Sequence, residues 1–95
     1  MNFPVKDPAE SVVIEFDFSA ELASIDSAVV NVTTVSGTDP NVSLMPEGFL
    51  QIVGGKVLQR VGKGLNLLQY NVRCTARKGL DVRVLSRELP VRITN

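Results

Sequence analysis

The stretch from Leu65 to Arg92 limits the fold more than any other part of this 95-residue chain, because most of it alternates between apolar and polar side chains. Successive side chains of a β-strand point to opposite faces, so the alternation predicts a long hairpin with one buried and one solvated face. The residues on the face expected to be buried are Leu68, Tyr70, Val72, Cys74 and Ala76. Tyr70 and Cys74 are therefore predicted to be core residues rather than reactive groups.

A break around Gly79 marks the turn of this hairpin. Beyond the turn, the residues expected on the buried face are Val82 and Val84. Opposed residues must share a face, and placing Arg77 opposite Asp81 meets this condition. The resulting loop comprises residues 78–80 and leaves Leu85 facing outward. Either a β-bulge returns Leu85 to the core, which we expect, or Leu85 belongs to a contact surface.

The rest of the chain also predicts strands. They are expected at residues 11–18, 28–35, 42–44, 49–53 and 56–61, with a tight hairpin turn at Gly54-Gly55. Together with the long hairpin this makes about seven short strands, which is typical of a β-sandwich or a small barrel.

No linker or internal repeat divides the chain, so we predict one domain over residues 1–95. Pro4 and Pro8 indicate that residues 1–10 form an extended, poorly packed N-terminal arm.

The formal net charge is zero, but the two halves of the chain carry opposite charge. Residues 1–48 hold eight acidic residues and one lysine, whereas residues 49–95 hold nine basic residues and two acidic ones. Such asymmetry can indicate a nucleic-acid surface, or complementary faces that meet within or between copies. It can also mean only that acidic and basic strands lie side by side in the fold.

The sequence offers no recognisable catalytic or metal chemistry. It contains no histidine, which removes the usual general base and the commonest metal ligand. The single cysteine, Cys74, can form neither a zinc site nor an internal disulfide. We therefore expect a protein that is not an enzyme and has no catalytic residues, cofactor or metal.

Nucleic-acid and membrane partners are not expected either. The only aromatic residues of the basic half are Phe49 and Tyr70, and an inward Tyr70 leaves no platform on which bases could stack. No apolar run approaches the roughly 18 residues of a membrane-spanning helix. The N-terminus lacks the apolar core of a signal peptide, so we expect synthesis in a reducing cytoplasm.

Several short segments carry a resemblance to a known family when they are taken in order. They are Pro4–Pro8, Phe16–Ser19, Gln59–Val61, the spacing from Gly64 to Tyr70, Tyr70–Ala76 and Leu89–Val91. In this order they resemble small virion proteins of tailed bacteriophages, a family of fiber-tail adaptors and related head–tail and tail proteins. The chain departs from that pattern at Phe18, where tryptophan is expected, and at the charged pair Arg77-Lys78, where small polar residues are usual.

The resemblance implies an all-β, immunoglobulin-like β-sandwich of about seven antiparallel strands. It also implies a non-enzymatic structural protein at the neck or tail of a phage or prophage particle, made in the host cytoplasm. Its expected partners are other virion proteins and copies of itself. Rings require two different complementary patches, and we expect the acidic half of one copy to meet the basic half of another. The expected contact residues are Lys6, Asp7, Glu10, Arg73, Arg77, Arg83 and Arg87.

An alternative function is an immunoglobulin-like module that binds a carbohydrate or another surface. Such a module needs exposed aromatic side chains on one face, and the candidates in this sequence are Phe3, Phe18 and Phe49.

Overall fold

The computed structural model describes residues 3–94, which form two antiparallel sheets of three strands each. The strands are β1 (Val12–Asp17), β2 (Ser27–Thr34), β3 (Pro46–Val53), β4 (Lys56–Val61), β5 (Leu68–Lys78) and β6 (Asp81–Val91). One sheet has the order β1-β4-β3 and the other β2-β5-β6. The prediction of an all-β protein is confirmed, and the two sheets are consistent with a β-sandwich.

The core contains side chains from both sheets and follows the alternation of the sequence. The buried residues of β5 are Tyr70, Val72, Cys74 and Ala76, as their parity predicts. Those of β4 are Val57, Gln59 and Val61, and those of β1 are Ile14 and Phe16. Each of these three strands therefore contributes one face to a common interior.

The described residues contain six strands rather than about seven. The predicted strand at residues 42–44 is a short 3-10 helix, Val42–Leu44. Asp39 favours this turn, because its side chain accepts a 2.9 Å hydrogen bond from the Asn41 amide and its carbonyl accepts one of 3.2 Å from the Val42 amide. The next strand, predicted at residues 49–53, already begins at Pro46.

The tight turn at Gly54-Gly55 is confirmed, because β3 and β4 pair up to Val53 opposite Lys56. Gly54 has a φ of 59°, which glycine adopts without strain. Gly55 is buried against the segment after β1, and a Cβ atom there would lie 2.4 Å from the Leu22 carbonyl oxygen. The sequence therefore needs glycine at both positions, for two different reasons.

The register predicted for the long hairpin is wrong by one residue. Lys78 pairs with Asp81 and Arg77 with Val82, so the turn contains only Gly79 and Leu80. Gly79 has a φ of 59° and Leu80 does not have a positive φ, which is the pattern of a type II′ turn. A two-residue turn of this type matches the twist of the two strands. The predicted loop was one residue longer.

The shift reverses the two faces of β6, as any shift of one residue must. Leu85 lies opposite Cys74 with no break in the register, so the expected bulge is absent. Val82 and Val84, expected inside, lie on the solvent face and are 45% and 40% exposed.

The expected poorly packed arm is instead attached to β6 from Phe3 onward. The Phe3 amide donates a 2.9 Å hydrogen bond to the Glu88 carbonyl, and the Lys6 amide donates one of 3.0 Å to the Pro90 carbonyl. The Phe3 ring is buried and meets the Phe16 ring edge-on, with 5.6 Å between centroids. The prediction for residues 1 and 2 lies outside the described part of the chain.

Candidate interaction surface

Lys6, one of the expected contact residues, is not on the surface. Only 1% of the residue is exposed, and its ammonium nitrogen donates to the backbone carbonyls of Asp7 and Lys63. Burial lowers the pKa of Lys6, while the negative charges of Glu10, Glu47 and Asp7 oppose that shift. Lys6 therefore fastens the N-terminal segment to the Lys63 loop and is not accessible to a partner.

The carboxylates of Asp7 and Glu10 accept hydrogen bonds that stabilise the N-terminal segment. Asp7 accepts hydrogen bonds of 2.8 Å from the amides of Ala9 and Thr94, and Glu10 accepts one of 2.7 Å from the Asp7 amide. The Thr94 and Ala9 amides lower the pKa of Asp7. Asp7 thus links its segment to Thr94, whereas Glu10 bonds within its own segment and remains exposed.

The four predicted contact arginines divide into two pairs on opposite faces of one sheet. Arg73 and Arg77 in β5 lie on the solvent face. Arg83 and Arg87 in β6 lie opposite Ala76 and Val72, whose side chains are buried, and therefore share the face that turns toward the core. The sequence reasoning placed all four on one outward face, and the one-residue shift in register is the reason for the difference.

Arg87 covers part of the core beside the N-terminal segment. Its guanidinium carbon lies 4.1 Å from the centroid of the Phe3 ring, and one terminal nitrogen donates to the Glu15 carbonyl at 3.4 Å. The Nε atom is buried and has no hydrogen-bond partner among residues 3–94. Arg87 also lines a cleft of about 330 Å³ between β1 and the N-terminal segment.

Residues 77–86 of β5 and β6, here called the distal hairpin, are all exposed. Leu80 at the turn is fully solvent-exposed, and Val82, Val84 and Leu85 follow it. On the solvent face, Val84 continues a row across the sheet through Thr75 to Val29, which is 55% exposed. Arg73 and Arg77 flank this row. Exposed valines grouped beside two arginines have the composition of a protein-contact surface.

Charges from the two halves of the sequence adjoin each other in the fold. Asp17 in β1 lies opposite Lys56 in β4, and Glu47 in β3 lies opposite Arg60. Asp26 forms a 3.3 Å salt bridge with Lys78. At these positions the acidic and basic strands are neighbours, which agrees with the interpretation that they lie side by side in the fold.

Tyr70 has a structural role that its inward parity predicted. Its hydroxyl donates a 2.7 Å hydrogen bond to Asp39 Oδ2 and accepts one of 2.8 Å from the Leu65 amide. Burial raises the pKa of Tyr70 to about 12, and the Asp39 carboxylate adds to that shift. Nothing in the local sequence pattern indicates the bond between Asp39 and Tyr70, which lie far apart in the chain.

The described residues also limit the chemistry of the surface. Residues 3–94 contain no group of three or more metal-ligating side chains and no helix long and apolar enough to cross a membrane. Burial raises the pKa of Cys74 to about 11, which keeps its thiol protonated at neutral pH. Of the aromatic residues considered for glycan binding, Phe3 and Phe18 are buried and Phe49 is 98% exposed.

Comparisons with protein-family models, with curated proteins and with solved structures find no match to this chain.

Proposed function

We propose that this protein is a non-enzymatic structural component of a tailed bacteriophage or prophage particle, an adaptor at the neck or tail that acts through protein–protein contacts. The support comes from the ordered sequence resemblance described above and from the exposed surface of the distal hairpin. Its partners are other virion proteins, and it resides in the particle after synthesis in the host cytoplasm.

We also propose that the sandwich is immunoglobulin-like. Domains of that type often fix a corner with a tyrosine near the start of the penultimate strand, whose hydroxyl bonds to the backbone a few residues upstream. Tyr70 lies near the start of β5, the fifth of six strands, and accepts its hydrogen bond from the Leu65 amide. This agreement supports the proposal of an immunoglobulin-like sandwich.

The observation that carries the functional proposal is the exposure of Leu80, Val82 and Val84 on the distal hairpin. Apolar side chains grouped on a projecting hairpin lose contact with water when a partner covers them, and that loss favours binding. The neighbouring Arg73 and Arg77 add a positive rim, which favours a partner with acidic residues at its edge.

The carbohydrate-binding alternative has less support. It requires a group of exposed aromatic rings, and burial of Phe3 and Phe18 leaves Phe49 as the exposed one of the three candidates. A single ring offers little stacking area for a sugar.

Incorporation into particles tests the proposal directly. A tagged copy would be expressed in a lysogen that carries the gene, and particles released after induction would be purified on a density gradient. We expect the tagged protein to sediment with the particles in a fixed ratio to the major tail proteins, as measured by mass spectrometry. Its absence from purified particles would contradict the proposed function.

Two matched variants locate the contact. Leu80→Glu places a charge at the tip of the distal hairpin, and we expect the protein to remain free of the particles. Leu44→Glu changes an equally apolar, exposed residue outside the hairpin and should leave incorporation unchanged. Equal incorporation of both variants would exclude the hairpin tip as the docking surface.

A further inference from the structure

The outer edge of β6 has one occupied part and one open part. Backbone groups of Glu88, Pro90 and Arg92 bond to the segment from Phe3 to Lys6. Because outward-pointing groups alternate along a strand and the β5–β6 register is unbroken, Val82, Val84 and Ser86 also direct their N–H and C=O groups outward. No strand pairs with them among residues 3–94.

We propose that this open edge pairs with the same edge of a second copy, antiparallel and around a two-fold axis through Val84. The two sheets would then join into one continuous sheet of six strands. This inference goes beyond the proposed function, because it concerns the free protein and needs no other virion component. Pairing of exposed strand edges is a common way for β-proteins to associate.

The hydrogen-bonding pattern fits this register. Val84 lies opposite Val84 of the second copy, and Val82 lies opposite Ser86. All of these residues direct both backbone groups toward the partner, so every outward N–H and C=O group in the open part gains a partner. The second copy's turn then lies beside Glu88, whose carbonyl accepts the hydrogen bond from Phe3.

The side chains favour the same register. It places Asp81 of the second copy directly opposite Arg87 and on the same face. The Asp81 carboxylate would supply an acceptor to a guanidinium whose Nε has no partner within residues 3–94.

Moving the axis by one residue in either direction brings like charges together. With the axis at Arg83, the two copies of Arg83 lie opposite each other, and with the axis at Leu85, Arg83 lies opposite Arg87. Like charges directly opposite across strands are destabilising. Charge complementarity therefore selects the axis at Val84 among these neighbours.

Sedimentation equilibrium of the full chain tests the pairing. We expect a molar mass that rises with concentration from the 10.3 kDa of one chain toward twice that value. Val84→Pro removes the outward N–H without removing a bond to β5, and should weaken association roughly tenfold or more. Val84→Thr keeps that N–H and should dimerise like the original protein.

A cysteine pair tests the register and does not depend on a proline being tolerated. Val84→Cys places two thiols about 5.5 Å apart at the Cα atoms, within the roughly 4.4–6.8 Å range of disulfides. Mild oxidation should link this variant into a covalent dimer. Val82→Cys is the matched control, since its two copies would be about 14 Å apart along the strands and should not be linked.

Three results would overturn the proposal. They are a chain that remains monomeric up to about millimolar concentration, where even weak pairing is detectable, a dimer that Val84→Pro leaves intact, and a Val82→Cys variant linked as readily as Val84→Cys. None of these results bears on whether the protein enters virus particles, which is measured separately.

Discussion

The hydroxyl of Tyr70 and the carboxylate of Asp39 share a 2.7 Å hydrogen bond inside the protein, joining β5 to the connection between β2 and β3. The other carboxylate oxygen of Asp39 accepts from the Asn41 amide, and the Tyr70 hydroxyl also accepts from the Leu65 amide. Two loops at one end of the sandwich are thereby fixed to a single buried pair. The stability of the fold therefore depends on that pair.

Tyr70→Phe should reduce the free energy of unfolding by about 1–3 kcal/mol. The substitution keeps the ring but leaves Asp39 Oδ2 and the Leu65 amide without their partner, and unsatisfied buried groups are costly. Urea titration followed by circular dichroism would measure the change.

A double-mutant cycle with Asp39→Asn separates the bond from the rest of the tyrosine environment. If Tyr70 and Asp39 act through this bond, the two substitutions together should cost less than the sum of their separate effects. Strict additivity would mean that the pair is not coupled.

Stability should fall as the pH rises above about 9, because two buried groups keep their protons longer in the folded protein. The pKa of Cys74 is raised from 9.0 to about 11 and that of Tyr70 from 10.0 to about 12. Their contribution is complete below the unfolded pKa values and is lost as the pH rises through the folded ones. Lys6, whose pKa is lowered, acts in the opposite direction.

Comparison with Tyr70→Phe and Cys74→Ala isolates each group. Urea midpoints would be measured between about pH 8 and pH 12 for the three proteins. The decline should be shallower above about pH 10 without the tyrosine and above about pH 9 without the cysteine. Identical slopes in all three proteins would show that Tyr70 and Cys74 do not cause the decline.

Gly55→Ala should destabilise the protein more than Gly48→Ala. At Gly55 the new methyl group would lie 2.4 Å from the Leu22 carbonyl oxygen and 2.8 Å from the Ser19 Cα, both of them backbone atoms. At Gly48 nothing lies within 4 Å, and the cost is limited to the strain of a φ of 68°, about 1–2 kcal/mol. Thermal melting would rank the two, and the reverse order would show that the β3–β4 turn can move away from Ser19 and Leu22.

Phe3→Ala should cost about 3 kcal/mol or more, although Phe3 lies close to the start of the chain. It removes a ring that is 6% exposed, packs against Phe16 and supports the Arg87 guanidinium. Val5→Ala, at a residue that is 38% exposed, is the matched control and should be nearly neutral. Equal small effects in denaturant titration would indicate that the N-terminal segment is only loosely attached.

The sequence could predict the parts of this fold in which one face is buried. Alternation identified the inward residues of β5, and the pair Gly54-Gly55 located the turn between β3 and β4. It failed in the distal hairpin, where both faces of the strands are exposed and the apolar pattern does not specify register. There the turn geometry of Gly79 and Leu80 decided the pairing.

The candidate surface was predicted only in part, and for related reasons. Arg73 and Arg77 are exposed on the outer face as expected, since β5 has a clear buried side. Lys6 was misplaced because its burial depends on the Lys63 carbonyl, which is far away in sequence and which no local pattern shows. The hydrogen bond between Tyr70 and Asp39 was missed for the same reason.

The bond pattern between the segment from Phe3 to Lys6 and the end of β6 has a consequence for biosynthesis. The ribosome makes Phe3 and Lys6 long before it makes their bonding partners Glu88 and Pro90. Contacts so far apart in sequence form late and slow folding. A nascent chain must therefore leave Phe3 without its β6 partner until Glu88 has been made, and a copy truncated before Glu88 would be released with its core open to other chains.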